Sequence, residues 1–173
     1  MKQKIKKLIF ILLGYSKYNQ VLSLKEVFQY FFFQKFLRIN SNIPFPVHWT
    51  TYFGDIKNFK YPEDEIIKIG LVGCCYIQTI GEVEIGKNVI MGMGSKIISA
   101  NHDFNNLSKH INQKVIIGNN VWIGSNVVIL PGVKIGNNVI IGAGSIVTKI
   151  FEEDNIVIAG NPAKILKTLN NEN

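Results

Sequence analysis

The chain has 173 residues, 47% hydrophobic and 18% charged, a balance that sets aside disorder and points to one globular domain with an appended N-terminal piece. A formal net charge of +7 and a pI near 9.4 favour an anionic partner: a phosphate-bearing cofactor, an acidic membrane surface or nucleic acid. No nucleic-acid-binding motif accompanies the lysines, so nucleic acid is not expected, and two adjacent cysteines, Cys74 and Cys75, give no disulfide framework and read as small buried hydrophobes of a reducing cytoplasm.

Taken in order, residues 1–66 form an N-terminal cap and lead-in. Met1–Lys7 is basic and the apolar run LIFILL comes next, too short to span a bilayer and without a cleavage site. In LSLKEVFQYFFFQKFLRIN, Ser23 with Glu26 three residues on predicts a capped helix start. Leu24, Phe28, Phe31, Phe32 and Phe36 then recur on one side at helical spacing. Such a helix covers the open end of the strand-forming region C-terminal to it; a second reading is a basic and aromatic anchor on acidic lipids at the inner face of a membrane. Pro44 and Pro46 impose extended backbone on the lead-in, and Tyr61–Asp64 reads as a turn.

Residues 67–160 carry a period of six. Ile117, Ile123, Ile129, Ile135, Ile141 and Val147 share one phase, and Gly118, Gly124, Gly136 and Gly142 each follow such a residue. Val121, Val127, Val133 and Val139 sit four places after the first four. A fixed short period of this kind is the mark of a parallel β-helix, here an all-β solenoid of about 4–5 coils of eighteen residues. Isoleucines stack inward, glycines take the corners and the valines fill the narrow space beside them. An ordinary sandwich, with its period of two, would not place glycine every sixth residue. Between Ile97 and Ile117 the rhythm breaks, so residues 103–112 are expected to project as a loop. After Thr148 come one last strand, IVIAG, a Gly-Asn-Pro turn, and a turn-and-tail segment, 161–173, in which Ala163–Leu169 is read as a short helix.

The histidines are His48, His102 and His110, and neither a nucleophile elbow nor a P-loop is present. His102 stands where the repeat stops. A general base held at the root of a loop and a plain surface histidine are both open there. Three histidine ligands for zinc are not expected, because His48 precedes the coils.

With SANHDF at 99–104, VWIGSNVVILPGVKIGNNVIIGAGSIVTK at 121–149 and IAGNPAKIL at 158–166, the chain resembles the hexapeptide-repeat acyltransferases of the galactoside, maltose, xenobiotic and capsular-polysaccharide acetyltransferase group. PFPVHWT at 44–50 is similar to lead-ins in enzymes of polysaccharide assembly. The resemblance implies a left-handed β-helix, a homotrimer with sites between subunits, and acetyl-CoA as co-substrate. It implies His102 as the base that deprotonates a sugar hydroxyl, in surface or capsular polysaccharide synthesis, for direct attack on the thioester. It further implies that Trp122, Ser125, Ala143, Gly144, Thr148, Lys149 and Lys164 line the coenzyme site, with no metal. Asn101, Asp103 and His110 are the candidates for acceptor contact. The loop HDFNNLSKH lacks the proline that sugar-specific relatives place after the histidine, which weakens galactoside or maltose as acceptor. N-acetylation of an amino-sugar, acetylation of serine or an antibiotic, and a scaffold without chemistry are the competing readings.

Overall fold

A computed structural model describes residues 2–169. Its centre is a parallel β-helix whose short strands stack in three faces. On the first face Tyr52, Tyr76, Lys96, Val128 and Ile146 lie in register; on the second, Phe59, Val83 and Val115, with Ile116 beside Lys134. On the third, Ile90, Trp122, Ile140 and Val157 are in register. Where the repeat is regular, successive partners are 18 residues apart, as Val128 and Ile146 are; where the rhythm breaks, Lys96 and Val128 are separated by 32. The parallel pairing begins at Tyr52–Phe53, inside the segment read as lead-in.

The six-residue phase points inward as expected. Ile77, Ile97, Ile123 and Ile129 are fully buried, and the corner valines Val127 and Val139 equally so. Burying a side chain of this size stabilises by about 1.5–3 kcal/mol. The corners differ from one another. Between the second and third faces, Asn88, Asn120, Asn138 and Asn155 all adopt positive φ, a region asparagine tolerates better than most residues. Their amides form a ladder along the solenoid, Asn88 to Asn120 at 3.1 Å, Asn120 to Asn138 at 3.0 Å and Asn138 to Asn155 at 3.0 Å. A second ladder runs beside it through Asn119, Asn137 and Asp154.

The N-terminal segment packs on the first coil. Helix α1 spans Lys2–Leu12 and α2 spans Leu24–Tyr30, passing into a π-helical turn at Phe31–Phe36. The capping box forms as the sequence predicts: Ser23 Oγ accepts from the Glu26 N–H at 3.2 Å and the Ser23 N–H donates to the Glu26 carboxylate at 2.7 Å. Those hydrogen bonds hold the Glu26 carboxyl below its usual range. Within the π-helical turn Gln34 is buried with all its polar atoms engaged. Its carbonyl accepts from the Tyr15 hydroxyl and the Val47 N–H, and its amide donates to the carbonyls of Asn40 and Phe45. The Tyr18 and Tyr30 hydroxyls donate to the carbonyls of Ile67 and Leu71, joining the helices to the coil below.

On α2 the phenylalanine-rich side is exposed, and the opposite side, with Val27, Tyr30 and Gln34, faces the core. Both sides of that helix are apolar enough to satisfy the spacing rule, and the tyrosine hydroxyls, which need partners once buried, choose the side. The tail read as a helix is a strand, Ala163–Thr168, antiparallel to Ile156–Gly160; it supplies backbone partners to the last strand, which no further coil would pair. Of the two cysteines only Cys75 is buried; Cys74 is exposed at a corner with φ +61°.

Candidate active site

The fourteen residues by which one coil exceeds its neighbours form a β-hairpin, Ala100–Asp103 paired with Asn106–Asn112. The projecting loop is thus a two-stranded arm that leaves the corner between the first and second faces, where it begins at Ala100 and not at Asp103. Its root is fixed by polar groups inside the solenoid. The Gln78 side-chain carbonyl accepts from the N–H groups of Ser99 and Ala100, at 3.1 and 2.9 Å. Ser99, fully buried, has its single hydroxyl proton within reach of the carbonyls of Gln78 and Gly81, at 2.8 and 2.9 Å, and its oxygen accepts from the Gly81 N–H. A buried hydroxyl engaged both as donor and as acceptor ties the arm to the coil beneath it.

His102 lies two residues beyond this anchor, opposite His110, and the two exposed rings are 4.6 Å apart. His102 Nδ1 is 2.6 Å from the Leu107 carbonyl oxygen. A carbonyl only accepts, so Nδ1 carries the proton and Nε2 presents a lone pair. Asp103 is spent locally, its carboxylate accepting from the Asn105 N–H at 2.8 Å to shape the turn. Asn101, next to His102 and exposed, pairs with Ile111.

The remaining candidates fall on two edges. Trp122 projects outward from the third face between Ile90 and Ile140 and is 55% exposed. The chain then turns the corner to the first face through Ser125, and one coil on through Ala143 and Gly144; the Ser125 carbonyl accepts from the Gly144 N–H at 2.9 Å. This corner is stripped of bulk. A Cβ on Gly124 would meet the Ala143 nitrogen at 2.6 Å, and Gly144 holds φ +72°. Lys164, exposed in the terminal strand, pairs with Ala159, which stacks over Gly142 at the end of the same column. Thr148 and Lys149 instead follow the first-face strand Ile146–Val147, on the corner from which the hairpin leaves; the Lys149 ammonium sits 5.2 Å over the Phe151 ring. Within one chain, then, His102 shares a corner with Thr148 and Lys149, while Trp122, Ser125, Ala143, Gly144 and Lys164 gather at another. Among the described residues no group of three His, Cys, Asp or Glu is placed to hold a metal ion.

Sequence reasoning missed Gln78, Ser99 and the Leu107 carbonyl. Ser99 opens the SANHDF motif; Gln78 is a polar residue directly after a buried isoleucine of the coil; a backbone carbonyl leaves no trace in residue type.

Residues 114–149 match the model of the family described as bacterial transferase hexapeptide (six repeats). A Dictyostelium discoideum protein proposed to be an acetyltransferase is 45% identical over 91 residues, covering 50% of this chain and 47% of its own length. The structure of a maltose O-acetyltransferase from Clostridium difficile 630 is 35% identical with a TM-score of 0.52, over 70% of this chain and 60% of that one. That of a galactoside acetyltransferase in complex with coenzyme A is 26% identical with a TM-score of 0.55, over 97% and 82%. The chain thus spans about half the length of the curated relative it matches. Over residues 114–149 the solenoid carries the hexapeptide repeat of that family, which implies a left-handed parallel β-helix. Within that class, the chain resembles the maltose and galactoside O-acetyltransferases.

Proposed function

We propose that this protein is an acetyl-CoA-dependent O-acetyltransferase acting on a sugar hydroxyl in a glycan or its lipid-linked precursor, with His102 as general base. The observation that carries the reading is the His102 Nδ1 to Leu107 carbonyl hydrogen bond, which fixes the tautomer whose Nε2 can take a proton. In the proposed reaction Nε2 accepts the proton of the acceptor hydroxyl as its oxygen attacks the thioester carbonyl. The carbon–sulfur bond then breaks and the imidazolium returns the proton to the departing thiolate. The small-residue column of Gly124, Ser125, Ala143 and Gly144 gives an extended coenzyme arm close approach, and Lys164 at its end supplies a mobile positive charge for phosphate. Likeness to a galactoside acetyltransferase with bound coenzyme A supports the choice of coenzyme.

The division of these residues between two corners favours a homotrimer in which the His102 corner of one protomer faces the coenzyme column of the next. Calorimetric titration with acetyl-CoA is expected to saturate near one coenzyme per chain, with CoA released when an acceptor is added. His102→Ala should lower turnover by about 10²–10⁴-fold, the usual loss for a general base, with coenzyme affinity and melting temperature unchanged. Absence of coenzyme binding, or a variant within a few-fold of wild type, defeats the reading.

A further inference from the structure

The positive charge of this protein is not shared between its parts. Residues 1–54 hold eight Lys or Arg and one acidic residue, Glu26, whereas residues 55–173 hold eleven of each. The whole +7 therefore belongs to the N-terminal segment. That acidic residue is engaged in the cap of α2 and leaves its lysines largely uncompensated.

The same segment presents apolar side chains to solvent in a pattern set by helix geometry. On α1, Ile5, Leu8 and Leu12 fall at successive spacings of three and four, on one stripe, and are 52%, 56% and 75% exposed. Phe10, on the far side of that helix, is fully buried in the core cluster, so the stripe of Ile5, Leu8 and Leu12 faces away from the core. Lys4 and Lys7, both exposed, lie along one edge of the stripe. On α2 and its π-helical extension, Phe28, Phe32 and Phe36 are 51%, 47% and 70% exposed, with Lys25 and Lys35 exposed beside them. Isolated exposed apolar residues are ordinary; two helices that each turn an apolar stripe outward beside exposed lysines are not.

We propose that these helices dock the protein on an anionic phospholipid bilayer, lysines against the headgroups and the apolar stripes in the interfacial region. Charge complementarity selects this occupant. A second copy of the chain would bring two strongly positive segments together, whereas an acidic lipid surface neutralises them, and apolar side chains between basic ones are what an interfacial helix requires. No described helix is long and apolar enough to cross a membrane, so the contact is peripheral.

The test uses the full chain and vesicles of phosphatidylcholine, alone or mixed with phosphatidylglycerol. Flotation with the mixed vesicles only, weakening as salt rises, is expected. Lys4→Glu with Lys7→Glu should reduce partition by at least about 25-fold, at about fivefold for each lysine lost. Leu8→Asp with Phe28→Asp should abolish it while the melting temperature holds, since both side chains are exposed. Lack of flotation, equal flotation with neutral vesicles, or indifference to both variants overturns the proposal. So does a fall in oligomeric mass in Leu8→Asp/Phe28→Asp, which would show that a second copy covers this face. None of these readouts depends on acetyl transfer.

Discussion

The solenoid and the N-terminal segment solve the same problem in opposite ways. In the solenoid every strand sends one residue in and the next out, so burial is dictated by register, and a slip of one residue would reverse it. Charge there is balanced and local, as where Lys114 meets Glu82 and Glu84 at 2.7 and 2.6 Å. In the N-terminal segment, apolar residues ring the helices, and a few buried polar groups decide which side faces the core. Gln34 joins the π-helical turn to Tyr15 and the extended lead-in, and Tyr18 and Tyr30 reach backbone carbonyls of the first coil. The lesson is that a periodic core tolerates little ambiguity in sequence, whereas a helix on a surface is oriented by specific hydrogen bonds.

The sharpest way to break this comparison is to damage the solenoid. Ile129 is fully buried between Ile97 and Val147 in the stack, so Ile129→Ala should cost about 2–5 kcal/mol in denaturant unfolding. Hydrogen exchange should accelerate on both sides of it, because each coil is the template for the next. A cost below about 1 kcal/mol would mean that the stack repacks freely, contrary to a core set by register.

Gln34→Leu probes the other region and should have a smaller effect. It leaves the buried Val47 N–H without its acceptor, at about 1–3 kcal/mol. Protection should be lost in residues 2–50 while the strands from Val83 onward keep theirs. Equal loss across the chain would make cap and solenoid one cooperative unit and dissolve the distinction.

The same contrast explains what the sequence could show. The isoleucine phase was legible because six residues is both the repeat of the sequence and the repeat of the structure. The asparagine ladders escaped attention although Asn119–Asn120 and Asn137–Asn138 stand 18 residues apart, because their regularity lies in the corners and the apolar phase does not register it. His102 stood out as a polar residue where the rhythm failed, but its orienting group, the Leu107 carbonyl, exists only once the hairpin pairs. The tail AKILKT has no strict strand alternation, and the helix reading failed because nothing local reveals that IVIAG still needs a neighbour on its open edge. For α2 the helical spacing was legible, but spacing alone does not say which side faces the core.

The gentlest probe is alkaline pH, and it acts on the cap through its tyrosines. Burial pushes the hydroxyls of Tyr15, Tyr18 and Tyr30 from about 10 to about 12 each, since a phenolate would lose its hydration there. The folded pKa lies above the unfolded one, so the stability these groups supply is complete below pH 10 and declines as pH rises through 12. Between about pH 10 and 12 the emission of Trp49, which stacks on Phe33 and His48, should change in a Trp122→Phe background while the β-sheet circular dichroism persists. Simultaneous loss of both signals would place the alkaline weakness in the solenoid and remove the tyrosines as its cause.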